Sequence, residues 1–219
     1  MPYPQAPWTL KGYAIQTLHL IDIKSARKFI PEKLEIVSVL PGKTLATVYV
    51  SAYKKGSLLE YNELIVAAGL VRYGNYKGSW ISHIYVDHPD SVSGGREIWG
   101  LPKELAEFHW NNNDVIVCQA NQELCSFTWR NKPLMLNFWQ PKINGDVLSI
   151  LDDDMLSFSS QFNARLGLSD SKLNIPESSP FSGLNLGNPL LKLYLDDLTL
   201  IAGKPKVVSY SGSAHHGVQ

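Results

Sequence analysis

Short alternating segments, joined in pairs through turn-forming residues, limit what this chain can become. Over residues 8–20, Trp8, Leu10, Gly12 and Ala14 fall on one side, and Thr9, Lys11, Tyr13 and Ile15 on the other. That is the period-two pattern of a strand with one buried face. Segments 34–40 and 44–53 flank Pro41-Gly42, and segments 61–73 and 78–87 flank Gly74-Asn-Tyr-Lys-Gly78. Residues 108–110 and 115–118 flank Asn111-Asn-Asn-Asp114, and 123–129 extends the same sheet. Residues 150–161 carry a triple-aspartate turn, 174–191 are rich in Pro, Ser, Gly and Asn, 193–202 alternate again, and 207–211 suit another short strand. Helical signals are few. Residues 23–30 can be capped by Asp22 or Ser25 and are stopped by Pro31, and 88–100 suit a short helix or a Gly-rich loop. Consecutive antiparallel pairs with few helices predict a mainly β protein, a closed or partly closed barrel with peripheral helices.

The chain has 219 residues, which suits a single domain spanning 1–219, with residues 1–7 as an extended arm (prolines at 2, 4 and 7) and 209–219 as a frayed tail. Lys plus Arg and Asp plus Glu balance at 20 each, so no electrostatic argument favours nucleic acid. Cys118 and Cys125 form neither a CxxC nor a Cys/His pattern and read as reduced and structural. No basic region followed by an apolar run opens the chain, and no stretch approaches 18 apolar residues. These features predict a cytoplasmic protein without a membrane span. Asp152-Asp-Asp154 lacks the spaced ligands of a calcium loop, the histidines are scattered, and Gly94-Gly95 fits neither a dinucleotide fingerprint nor a phosphate loop. No metal and no cofactor are expected.

One segment carries chemistry. Ser93-Gly-Gly-Arg-Glu-Ile-Trp-Gly-Leu-Pro-Lys-Glu-Leu-Ala-Glu-Phe108 places Lys103 directly after a proline, at the exit of a Gly-rich turn. A free lysine, with a pKa near 10.4, is only about 0.04% neutral at pH 7. Holding a lysine in a dry cavity favours the neutral, nucleophilic amine; about 10% neutral takes roughly 3.4 kcal/mol. Gly-Arg-Glu followed by Gly-x-Pro-Lys resembles the acetoacetate decarboxylase superfamily. The resemblance implies a cone-shaped antiparallel β-barrel with a central pocket, in which the lysine forms a Schiff base with a keto substrate. Acetoacetate decarboxylase is itself the established case of a lysine activated beside a second cation. The second lysine of that family is Glu104 here.

The resemblance further implies that Glu63 handles protons in the pocket. A second family glutamate is matched by Val48, and the substrate-binding arginine by Lys11, which lacks the bidentate grip of a guanidinium. Three of five expected polar pocket positions, at 11, 48 and 104, are therefore altered. Arg96 and Glu97 suit an architectural role, and Trp99 and Leu101 a cavity wall.

Pro7-Trp-Thr-Leu-Lys-Gly12, Leu18-His-Leu20, Ala26-Arg-Lys-Phe-Ile-Pro31, Ser51-Ala-Tyr53 and Glu63-Leu-Ile-Val66 are similar to one branch of the superfamily, the plant neoxanthin-deficient proteins. Two functions follow. In the first, a Schiff-base lyase (decarboxylase, aldolase or dehydratase) uses Lys103 and Glu63 on a small keto acid or aldehyde, with Lys11 holding the substrate acid. In the second, the barrel binds an apolar ligand such as a carotenoid or isoprenoid, and Lys103 is vestigial. The resemblance also implies a homo-oligomer.

Overall fold

The structure, a computed structural model, describes residues 3–136 and 140–208. The frayed-tail expectation for 209–219 therefore lies outside the described residues. In chain order the elements are β1 (Trp8–Asp22), α1 (Ile23–Arg27), β2 (Glu35–Ile36), β3 (Lys43–Tyr53), β4 (Asn62–Tyr73), β5 (Tyr76–Val86) and α2 (Pro89–Trp99). Then come β6 (Lys103–Leu105), β7 (Glu107–Trp110), β8 (Asp114–Gln119), β9 (Gln122–Thr128) and β10 (Leu134–Met135). The last are β11 (Lys142–Leu151), β12 (Asp154–Leu168), β13 (Lys172–Asn174), β14 (Leu191–Ala202) and β15 (Lys206–Val207).

The protein is mainly β. The circuit β4–β3–β1–β14–β12–β11–β5 closes through the β4–β5 pairing, so the large sheet forms a barrel. Its pairings are antiparallel except β11–β5, where Val147 and Leu148 run parallel to Ser79 and Trp80, and β6 adds to β5 in parallel as well. The fully antiparallel expectation is corrected at those two seams. The parallel β6 arises because α2 carries the chain back along β5 before the strand begins. A second, antiparallel sheet, β13–β9–β8–β7, shares a buried cluster with the outer faces of β3 and β4, in which Val48, Val66, Val117 and Phe127 are wholly inaccessible.

Several local expectations shift. The predicted strand at 34–40 shrinks to Glu35–Ile36, and Leu40 bridges to Lys43 around the Pro41-Gly42 turn. The first helix stops at Arg27, and Asp22 at its start makes no side-chain cap; it pairs with Lys43 at 2.9 Å instead. The triple aspartate is the centre of a long hairpin: Asp152 and Asp153 take positive φ, 47° and 71°, in the two-residue turn between β11 and β12. Close approach explains Gly12, where an added Cβ would meet the Ala52 carbonyl oxygen at 2.0 Å across the β1–β3 pairing.

Candidate active site

The stretch that holds Lys103 works as one mechanical unit. Helix α2 opens with Pro89 in its first turn, and the His88 ring accepts a bond from the Asp90 amide. It closes at Gly100, in the left-handed region at φ 60°, whose N–H bonds to the carbonyls of Arg96 and Gly95. A side chain at Gly100 would also meet the Ile150 carbonyl oxygen at 2.2 Å. Pro102 cannot continue a helix, so Lys103 begins β6 beside Ile84. The Arg96 Nε then donates to the Lys103 carbonyl at 2.7 Å, and Tyr3 donates its hydroxyl to Glu97. Gly94 and Gly95 sit inside a helix because their neighbours need the space. An added Cβ would come within 2.6 Å of the Trp8 ring at the first and 2.4 Å of Lys103 Cδ at the second.

Lys103 is 4% exposed. Its Nζ lies 2.7 Å from Glu63 Oε1 and 3.0 Å from Ser91 Oγ, with the Tyr61 hydroxyl at 3.5 Å. The ammonium also stands 5.2 Å from the Tyr61 ring centre and 5.8 Å from that of Trp8, within cation–π range. Glu63, 2% exposed, accepts from Tyr53 at 2.8 Å through its other oxygen, and the Tyr53 and Tyr49 hydroxyls are 3.2 Å apart. Burial first, and then the Glu63 carboxylate, push the Tyr53 and Tyr61 phenols well above their ordinary range. Burial is the main cause at Tyr49 too. All three stay protonated near neutral pH and act as hydrogen-bond donors or neutral spacers around one buried ion pair.

That pair sits at the deep end of a cavity of about 190 Å³ inside the barrel. Strand alternation explains the lining. On β4 the residues facing in are Glu63, Ile65 and Ala67, and their β3 neighbours are Ser51, Tyr49 and Thr47. Leu10, Ile81, Phe158, Phe162 and Leu200 make the middle apolar. Gln16, Thr47, Ser79 and Ser160 add polar groups, and the exposed Gly145 and Asp146 border the opening, Asp146 with its side chain turned outward beside Ser159.

The residues singled out from the sequence divide into three groups. Lys103 and Glu63 meet directly, and Trp99 and Leu101 line the cavity near them, Trp99 with its indole N–H bonded to the Gly203 carbonyl at 2.8 Å. Arg96 and Glu97 lie outside the cavity and brace Lys103 and the N-terminal arm. Lys11, Val48 and Glu104 do not line it. Lys11 is exposed on the outer face of β1, where its backbone bonds to Ser57, and its neighbour Leu10 faces inward. Val48 packs between the two sheets, flanked by the inward Thr47 and Tyr49. Glu104 faces away from Lys103, as adjacent strand residues must, and accepts from Gln119 at 2.7 Å. Tyr49, Tyr53, Tyr61 and Ser91 were absent from the sequence expectation. The available signal was the even spacing, two between Tyr61 and Glu63 and four between Tyr49 and Tyr53, which puts each pair on one face of its strand. Among the described residues no cluster of three His, Cys, Asp or Glu side chains is arranged to hold a metal ion, and no helix is long and apolar enough to cross a membrane.

Replacing Tyr53 by phenylalanine takes the bonded donor from Glu63 Oε2 and leaves a buried carboxylate oxygen underserved. The expected destabilisation is about 1–3 kcal/mol, read by denaturant unfolding. A variant within experimental error of the parent would show that solvent replaces the phenol without cost.

A barrel with a buried lysine–glutamate pair at its core defines a class that comparison with known proteins makes specific. The family profile of acetoacetate decarboxylase matches residues 1–136, and the chain belongs to that family. Protein NEOXANTHIN-DEFICIENT 1 of Solanum lycopersicum is 33% identical over 106 residues, 48% of this chain and 36% of that protein. The rice protein of the same name (Oryza sativa subsp. japonica) is 30% identical over 129 residues, 59% of this chain and 38% of that one. The chain thus matches little more than a third of the length of these plant relatives. Among solved structures, acetoacetate decarboxylase from Legionella pneumophila superposes with a TM-score of 0.73 at 16% identity, covering 95% of this chain and 90% of that one. The enduracididine biosynthesis enzyme MppR, solved in complex with pyruvate, gives 0.68 at 13% identity, with 94% and 91% covered. At such identities these structures speak for the fold alone.

Proposed function

We propose that this protein is a carbonyl-processing enzyme in which Lys103 forms an iminium with its substrate and Glu63 moves the protons. One observation carries the reading: the lysine amine and the glutamate carboxylate lie 2.7 Å apart, buried, at the closed end of a cavity that opens to solvent. Proton transfer from the ammonium to Glu63 yields a neutral amine that adds to the carbonyl carbon. The resulting carbinolamine loses its hydroxyl as water, taking the proton back from Glu63. Amine, carbonyl and one proton thus become iminium and water. The Glu63 carboxylate then lies beside the carbon next to the iminium, where it can remove a proton and give the enamine from which lyase and aldol chemistry proceed. Ser91 and Tyr61 orient the amine, and Trp8, Trp99 and Leu101 keep the end of the cavity dry.

A second reading has its own support. Glu63 already neutralises Lys103 with good geometry, and the shaft above them is apolar, as an apolar-ligand binder requires. Enamine formation separates the two. In D2O, an active protein is expected to exchange the α-protons of small ketones such as acetone or cyclohexanone for deuterium, followed by NMR. The rate should fall at least about 100-fold in Lys103→Ala and in Glu63→Gln, the scale of a positioned acid–base group. Exchange no faster than buffer with every compound would leave the binding reading.

A further inference from the structure

We infer, building on the iminium reading of Lys103, that the carbonyl compound this cavity takes is an uncharged, largely apolar ketone or aldehyde and not a keto acid. The argument is the charge inventory of the cavity. Among the described residues that line it, Lys103 is the one cation, and the inward carboxylate is Glu63; Asp146 borders the cavity next to the inward Val147 and pairs with the exposed Ser159, which puts its side chain on the outer face. The lysine charge is already matched by Glu63 at 2.7 Å. It stays matched after condensation, because an iminium carries the same single positive charge as the ammonium it replaces. A substrate carboxylate would therefore enter a cavity with no cation left to pair with it.

Each buried position that such an acid group could occupy is unfavourable. Beside Lys103 it would face Glu63, and two carboxylates sharing a site repel. Along the shaft it would meet Leu10, Ile65, Ile81, Phe158, Phe162 and Leu200, where an unpaired charge is costly to desolvate. The residue best placed by sequence to grip an acid, Lys11, points out of the barrel. Arg165, on β12, does not line the cavity and pairs with Asp196 on β14.

Size agrees with a modest apolar body. A cavity of about 150 Å³ lined by apolar side chains takes up a molecule as large as benzene. The 190 Å³ here suits a body of roughly six to eight carbons by that measure.

A matched pair of aldehydes tests the inference. Hexanal and 6-oxohexanoate share a reactive end and chain length and differ by a terminal carboxylate. The protein is incubated with each, reduced with cyanoborohydride at neutral pH, and mapped by peptide mass spectrometry. Labelling of exposed Lys77 corrects for the intrinsic reactivity of each aldehyde, and Lys103→Arg serves as the control. The expected result is a hexanal-to-acid ratio at Lys103 at least tenfold above that at Lys77. A ratio near one, or one favouring the acid, overturns the substrate class while the iminium reading stands. No adduct at Lys103 from either aldehyde, nor from cyclohexanone or pyruvate, defeats both.

Discussion

Gly95→Ala is expected to remove carbonyl condensation at Lys103 while leaving the barrel folded. The alanine methyl would land 2.4 Å from Lys103 Cδ, 2.7 Å from Cε and 2.9 Å from Cγ, against the middle of a side chain fenced by Trp8, Tyr61 and Ser91. The lysine stem must move to make room, and that movement is expected to draw the amine away from Glu63. Overpacking of this kind costs typically 1–3 kcal/mol, and alanine's better helix propensity returns up to about 1 kcal/mol of it. Stability should thus change little, while reductive labelling of Lys103 falls by at least about tenfold, the effect of losing roughly 1.4 kcal/mol of alignment. Gly183→Ala is a suitable comparison, since its nearest neighbour, the Phe29 ring edge, is at 3.3 Å and far from the site. Unchanged labelling in Gly95→Ala would show that the amine is mobile, and the mechanical reading of the Gly-Arg-Glu element would fall.

The largest stability effect is expected at Glu63→Leu. Removing one member of a buried ion pair leaves the other charge uncompensated, which costs about 3–5 kcal/mol. For a chain of this length each kcal/mol moves Tm by about 2–4 °C, so the fall should be roughly 6–20 °C. Replacing both members, as in the double variant Glu63→Leu with Lys103→Met, should recover most of that loss, because apolar groups of similar volume often match or exceed a buried pair. The pattern carries meaning for function. A pair that is replaceable without loss of stability is retained for something other than folding, and an iminium site is one such use. If the double variant is no more stable than Glu63→Leu alone, the pair is structural and the catalytic reading loses its support.

How much of this was legible in the sequence depends on which physical signal carried each residue. The barrel class was readable because alternation and turn chemistry repeat along the chain. The β11–β12 hairpin was only half seen: its turn is two aspartates at positive φ, without the glycine that usually marks such a turn, and the outer end of β11 is exposed, which blurs alternation. The glycine pair inside α2 argues locally against a helix, and only the contacts with Trp8 and Lys103 explain it. In the site, the motif carries Lys103 and the family resemblance Glu63, whereas Lys11, Val48 and Glu104, matched through the same resemblance, stand one residue away from the inward face. Lys11, Val48 and Glu104 each lie next to a residue that does face the cavity, namely Leu10, Thr47 or Tyr49, and Lys103. With a period of two, an offset of one residue exchanges inside for outside. At the first strand the inward residue is Leu10, an apolar side chain beside the lysine that the resemblance selects. The same offset hid the tyrosines, which share the alternation of Glu63 and surround it.

The most direct test of the central claim is reductive trapping of the parent protein with cyclohexanone, mapped residue by residue by mass spectrometry. If Lys103 is a working nucleophile, the adduct appears at this buried lysine ahead of the exposed lysines and vanishes in Lys103→Arg. Labelling that follows exposure, with Lys103 unmodified, would contradict the account.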